Sequence, residues 1–252
     1  MSGLELVRIA RQFAGVQAVQ GVSLCIAPGE VVGLMGPNGS GKTTLVNLAS
    51  GALRPDTGSV VVDGRDLTGR ATARFAAAGV IRTFQALRLF EGLSVMDNVL
   101  MGAQRGLRPS LLAALFRSPR FRRREMALRE AAAAALDDVG MSPFAARPVG
   151  ALSHGQRRRV ELARAFAAKP AYLVLDEPGS GVDPDQLDAV ASMIGRQRSA
   201  GVGILVVEHD AGLLERVAGR VVGMAGGTVV AEGAFADVAA HPALASHLAV
   251  PG

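Results

Sequence analysis

The 252-residue chain (25.9 kDa) is 49% apolar, with a mean hydropathy of +0.29. That is enough apolar material for one large domain or two lobes, and it excludes a disordered or fibrous chain. The 27 Lys and Arg against 22 Asp and Glu leave a net charge of +5. Residues 101–130 alone hold eight Arg and two Glu, so they carry +6 and the rest carries −1; such a local excess argues against a nucleic-acid binder, which spreads basic charge over a face.

The start, MSGLELVR, has neither the basic opening nor the apolar run of a signal peptide. No window offers the nearly uncharged apolar run of a spanning helix, and Cys25 has no second cysteine to pair with. A soluble chain in a reducing cytosol, able to dock on a membrane, is expected. LELVRIA, AVQGVSLCI and EVVGLMG read as strands, the last two separated by a Pro28-Gly29 turn. KTTLVNLAS reads as a helix ending before Gly51, TGSVVVDGRDL as a strand with an Asp63-Gly64 turn, and GVIRTFQ as a further apolar run. Residues 94–168 read as mostly helical: Leu128, Ala132, Ala135, Leu136 and Val139 share one helical face, and Gly140 follows as a stop. Arg117–Arg124, with Pro119, is a basic loop or helix start. AYLVLDEP and GILVVEHD are continuous apolar runs ending in charge, as strands buried on both faces do. These runs predict an α/β core with a helical lobe inserted between about residues 86 and 168.

Only two lysines occur against 25 Arg, so Lys42 calls for a specific reason. It lies in Gly36-Pro37-Asn38-Gly39-Ser40-Gly41-Lys42-Thr43, which fits G-x-x-x-x-G-K-[ST] between a strand and a helix. Glycines let the backbone wind around phosphate oxygens, and the helix N-terminus supplies positive potential. Lys42 adds a charge for the outer phosphates, and Thr43 offers a hydroxyl to Mg²⁺. Asp176 and Glu177 end a strand where such sheets bind ligands. Asp176 suits a water-mediated Mg²⁺ contact and Glu177 a general base, or the pair simply begins a solvated loop. Ser153-His154-Gly155-Gln156 reads either as a capping box or as a second anion site at a helix end. One triphosphate has no obvious use for two such helix ends within one subunit.

Together these stretches resemble the nucleotide-binding subunit of an ABC transporter over almost the whole chain. Leu152-Ser153-His154-Gly155-Gln156 resembles the family signature, Gln85 in RTFQ the Q-loop glutamine, and Gly179-Ser180-Gly181-Val182-Asp183 the D-loop. His209 in VVEHD resembles the switch histidine, and Phe13 sits where the family has its adenine-stacking aromatic. By itself Phe13 reads equally as core, Gln85 as a surface polar residue and His209 as structural. The resemblance implies an α/β P-loop ATPase with a RecA-like core, an N-terminal antiparallel β subdomain and an inserted helical subdomain. It forms one nucleotide-binding domain, 1–252, with residues 1–85 and 169–252 as the catalytic lobe and 86–168 as the helical lobe bearing the signature. Two subunits close head to tail around two ATP molecules with Mg²⁺. The loop from Gly36 to Thr43 with Thr44, and Phe13, hold one nucleotide; Ser153, Gly155 and Gln156 come from the other subunit. Thr43, Gln85 and Asp176 face the metal, Lys42, Gln85, Glu177 and His209 act in hydrolysis, and Asp183 communicates across the dimer. Two departures stand out: His154 replaces the usual Gly, and Gly181 stands where the D-loop has an Ala-Leu centre.

IRTFQALRLFEGLSVMDNVLMG and LSHGQRRRVELARAFAAKP further resemble the ATPases of branched-chain amino acid importers; ATPases of urea or amide importers and of lipopolysaccharide exporters share much of this pattern. The resemblance implies permease subunits in the membrane, a second and preferably different ATPase chain, and a periplasmic solute-binding protein acting indirectly. It places the chain peripherally on the cytoplasmic side of the inner membrane. Three readings of the basic stretch stay open: a solvated helix face, contact with anionic headgroups, and nucleic-acid contact, for which only Phe116 and Phe121 offer stacking surfaces.

Overall fold

A computed structural model describes residues 2–83, 88–104, 119–182 and 184–244. In chain order its strands are β1 (Leu4–Phe13), β2 (Val16–Ile26), β3 (Val31–Met35), β4 (Thr57–Val62), β5 (Arg65–Asp66), β6 (Val80–Arg82), β7 (Tyr172–Asp176), β8 (Gly203–Val207), β9 (Arg220–Ala225) and β10 (Thr228–Gly233). The helices are α1 (Lys42–Ala49), α2 (Thr72–Ala77), α3 (Val95–Ala103), α4 (Pro119–Asp138), α5 (His154–Ala167), α6 (Pro184–Ser199), α7 (Ala211–Val217) and α8 (Phe235–Ala239). The chain divides into two units: Met1–Gln85 with Ala171–Ser180 and Pro184–Gly252, and Ala86–Pro170 with Gly181–Asp183. Among the described residues no helix is long and apolar enough to cross a membrane.

The first unit holds two sheets. The antiparallel one has the order β2-β1-β4-β5. On β1, Leu4, Leu6 and Ile9 are buried, a spacing that breaks the two-residue period of a strand. The backbone supplies the missing step: the pairing with β2 shifts register between Leu6 and Ile9, and Arg8 takes φ +45°. This bulge turns Ile9 inward and leaves Arg8 outside. Asp63 and Gly64 both take positive φ, as a tight two-residue hairpin between β4 and β5 requires.

The other sheet has the order β10-β9-β3-β8-β7-β6, parallel from β9 to β6 with β10 antiparallel at the edge. Every residue of β3, β7 and β8 is buried, which explains their unbroken apolar sequences. Leu45, Val46 and Leu48 of α1 join Leu4, Leu6 and Ile26 of the antiparallel sheet and Leu34 and Leu205 of the parallel one in a single core. The Tyr172 hydroxyl donates to Asp63 Oδ1 at 2.6 Å, tying the start of β7 to the hairpin turn.

The second unit is helical. Ala132, Ala135, Leu136 and Val139 are buried and Leu128 is half-buried, so the periodic face of α4 is its packed face. The helix begins on Pro119, whose missing N–H costs nothing at a first helical position, and Gly140 beyond its end takes φ +66°. The stretch between α4 and α5 departs from the helical expectation: it forms only two 3-10 turns, Ser142–Phe144 and Val149–Ala151. Pro143 and Pro148 lack the N–H groups an α-helix would use there. Within α5, Arg158 Nη1 and Glu161 Oε2 form an ion pair at 2.7 Å with both side chains buried.

Candidate active site

The strand order sets the C-terminal ends of β3, β8 and β7 side by side, where loops of a parallel sheet open on a common crevice. That crevice, about 430 Å³, is lined by Ala18, Asn38, Gly39, Gly41, Lys42, Thr43, Thr44, Asp176, Glu177, Val207 and His209. Its volume suits a small-molecule ligand. The loop from Gly36 to Gly41 joins β3 to α1, and Gly41, just ahead of α1, offers no capping side chain. Its first-turn N–H groups therefore keep the unmet donor capacity that anions satisfy. Lys42 Nζ bends back and donates to the carbonyls of Gly36 at 2.6 Å and Pro37 at 2.9 Å. Burial lowers the Lys42 pKa below the usual lysine value, although Glu177 and Asp176 pull the other way. The buried Ser40 hydroxyl has no partner among the described residues.

The loop is clamped from outside by elements distant in sequence. Gly227, in the β9–β10 turn, donates its N–H to Ser40 O at 3.1 Å and accepts from Gln20 N–H at 2.8 Å. Gly41, at φ +102°, lies so close to β2 that a Cβ there would fall 2.2 Å from the Ala18 carbonyl oxygen. Gly41→Ala should therefore weaken binding of a phosphate-bearing ligand, a nucleoside triphosphate being the probe, about tenfold or more, through backbone strain and displacement of the loop. Calorimetric titration beside a thermal melt checks this.

Asp176, the last residue of β7, is buried, and its Oδ2 lies 2.8 Å from Arg82 Nη2. Arg82 also donates to Asn47 Oδ1, and Thr83 Oγ1 accepts the Asp176 N–H at 3.3 Å. The guanidinium compensates a carboxylate that would otherwise be costly to bury. Asp176 and Thr43 line the same crevice and offer the hard oxygen ligands that fit Mg²⁺. Glu177 leaves the strand at φ +51°, its N–H held by Val207 O at 2.9 Å. Its Oε1 lies 3.2 Å from Nε2 of the half-exposed His209. Phosphate loop, acidic pair and histidine thus meet in one crevice of the first unit.

Phe13 is exposed at the end of β1, with the Arg11 guanidinium 4.9 Å from its ring centroid, so it is not a core residue. In the second unit, Ser153 caps α5 in a full capping box: its hydroxyl oxygen accepts from Gln156 N–H at 3.3 Å, and Gln156 Oε1 accepts from Ser153 N–H at 3.0 Å. Ser153 and His154 are exposed, while Gly155 and Gln156 are half-buried. The two departures noted in the sequence meet: a Cβ on Gly181, at φ +69°, would fall 2.7 Å from His154 Cδ2 and Nε2. Gln85 and Asp183 lie outside the described residues. Sequence reasoning missed Arg82, Thr83 and Asn47; the available signal was the RT pair ending the apolar run of β6, next to the acidic end of β7.

The profile of the ABC transporter family matches residues 19–180. The chain is 37% identical over 240 residues to the high-affinity branched-chain amino acid transport ATP-binding protein BraF of Pseudomonas aeruginosa, covering 95% of this chain and 94% of BraF. The ADP conformation of MJ1267, an ATP-binding cassette of an ABC transporter, superposes with a TM-score of 0.84 at 30% identity, covering 98% of both chains. The dimeric structure of MJ0796, a bacterial ABC transporter cassette, matches with a TM-score of 0.76 at 25% identity, covering 92% of this chain and 98% of that one. With its phosphate loop, acidic strand end and capped second helix set on the fold of these cassettes, the chain belongs to the ABC transporter family.

Proposed function

We propose that the chain is an ATP-hydrolysing subunit of an importer for branched-chain or other hydrophobic amino acids. The observation that carries this reading is one crevice joining an uncapped helix N-terminus, Lys42 and the Glu177–His209 pair. Such a crevice suits a triphosphate with water aimed at its end. The N–H groups from Gly39 to Thr44 and Lys42 take the phosphate oxygens. Glu177 draws the proton from the attacking water, and His209 orients Glu177 and contacts the γ-phosphate. Thr43, Asp176 through water, and Gln85 would hold Mg²⁺, whose chemistry there is to neutralise charge on the phosphate oxygens. Phe13, exposed beside the crevice strand β2, stacks on the adenine.

The capped end of α5 serves a second subunit. Ser153, Gly155 and Gln156 of one chain close on the γ-phosphate bound by the other, and Asp183 carries the signal between the two sites. The dimeric MJ0796 cassette supports this arrangement, and the resemblance to hydrophobic amino acid importers favours two different ATPase chains. Closure of the pair drives separate permease subunits, fed by a periplasmic solute-binding protein, with this chain peripheral on the cytoplasmic side of the inner membrane. The role of BraF in branched-chain amino acid transport supports the substrate class.

Two measurements test this. Calorimetry with Mg²⁺ and ATP should show one saturable site per chain, and the tagged chain should draw integral membrane proteins from detergent extracts. Absence of ATP binding removes the ATPase reading. Recovery of RNA or DNA without membrane proteins removes the transporter reading.

A further inference from the structure

β7 and β8 run side by side, Asp176 opposite Val207, and just past that pair the Glu177 N–H donates to Val207 O. Beyond it the two chains part, one into the turn through Pro178 and Gly179, the other into His209 and α7. The Glu177–His209 pair spans these two arms at 3.2 Å. Just beyond β8, next to His209, stands Glu208, only 4% exposed. Its Oε1 accepts the Gly179 N–H at 2.6 Å, and its Oε2 accepts the His209 N–H at 3.2 Å. Gly179 itself is nested: a Cβ there would sit 3.1 Å from Glu208 Oε1, Leu187 Cδ2 and Leu213 Cδ2.

We infer that Glu208 is a positioning residue for ATP hydrolysis: one carboxylate straps the turn that carries Glu177 to the segment that carries His209. Glu177 needs such a strap, because a non-glycine residue at φ +51° persists only where its surroundings over-determine it. An acceptor on each oxygen is what two diverging backbone donors demand, and a carboxylate supplies both. Burial pushes the Glu208 carboxyl above the usual range; N–H donors from Gly179, Asp210 and His209 oppose that, and the nearby Glu177 charge adds to it. A carboxyl so placed is withdrawn from solvent and meets backbone donors of both arms of the active site.

This inference rests on the ATPase reading above, and the experiment separates the two. Purified wild type, Glu208→Gln and Glu208→Leu are compared for kcat, KM and calorimetric ATP affinity. Glu208→Leu should lower kcat by about ten- to a hundredfold, the cost of a small misplacement of reacting groups, with ATP affinity within about twofold, because the phosphate loop stands on another strand. Glu208→Gln keeps one acceptor and should lose less. In a Glu177→Gln background, Glu208→Leu should lower the residual turnover by less than it lowers that of the wild type, since the loss through Glu177 is already taken and only the part through His209 remains. An unchanged kcat in both single variants, or a full additional loss in the double variant, overturns the inference. A wild type that binds no ATP overturns the ATPase reading instead.

Discussion

Glu177→Gln should bind ATP with nearly wild-type affinity, accumulate as a nucleotide-bound dimer and lose hydrolysis by about two to four orders of magnitude, the usual worth of a general base. The phosphate grip does not include this carboxylate: Lys42, the loop from Gly36 to Gly41 and the open end of α1 remain. What disappears is an acidic group that both borders the crevice and touches His209. The amide is isosteric, so the φ +51° turn and the N–H bond to Val207 O persist. Single-turnover hydrolysis and size-exclusion chromatography with ATP check both halves of this expectation. A wild-type rate would remove Glu177 from its role.

Ser153→Asp should leave ATP binding to the isolated chain unchanged and depress ATPase activity by roughly two orders of magnitude. Two roles part at one atom. Ser153 Oγ caps α5 through Gln156 N–H, and Asp is an equally good capping residue, so the helix keeps its stability. The added negative charge, however, would lie against the γ-phosphate held by the other subunit. Like charges a few ångströms apart repel by about 4 kcal/mol at an interfacial dielectric. Melting temperature should therefore hold while turnover, and the ATP-dependent shift to dimer, fall. Retained turnover would mean that α5 does not complete a neighbour's site.

The parts of this fold that were readable in the sequence are those whose chemistry is local. The loop from Gly36 to Thr43 declares itself because glycine, lysine and threonine must follow one another to wrap a phosphate. β3, β7 and β8 declare themselves because burial on both faces leaves no room for alternation. The face of α4 follows from helical period alone. Residues whose meaning depends on distant neighbours were not legible. Arg82 gains its role only when β6 lies beside β7 and brings it to Asp176, 94 positions away. The clamp on the phosphate loop comes from β2 and from a turn more than 180 residues further on, and nothing in either stretch announces it. Glu208 read as one more charge after a strand, because its partner, the N–H of Gly179, is invisible to side-chain patterns. Phe13 stood between core and surface until its exposure was known.

The contact of His154 with Gly181 carries a consequence for any exchange of parts between cassettes. The imidazole fills the room that a methyl at 181 would need. A transplanted loop bearing alanine there would force the exposed imidazole aside and would also strain the backbone at φ +69°, whichever residue stands at 154. Position 181 therefore asks for glycine on its own account, so chimeras should be cut to bring their loop with the backbone path that suits its own residue there.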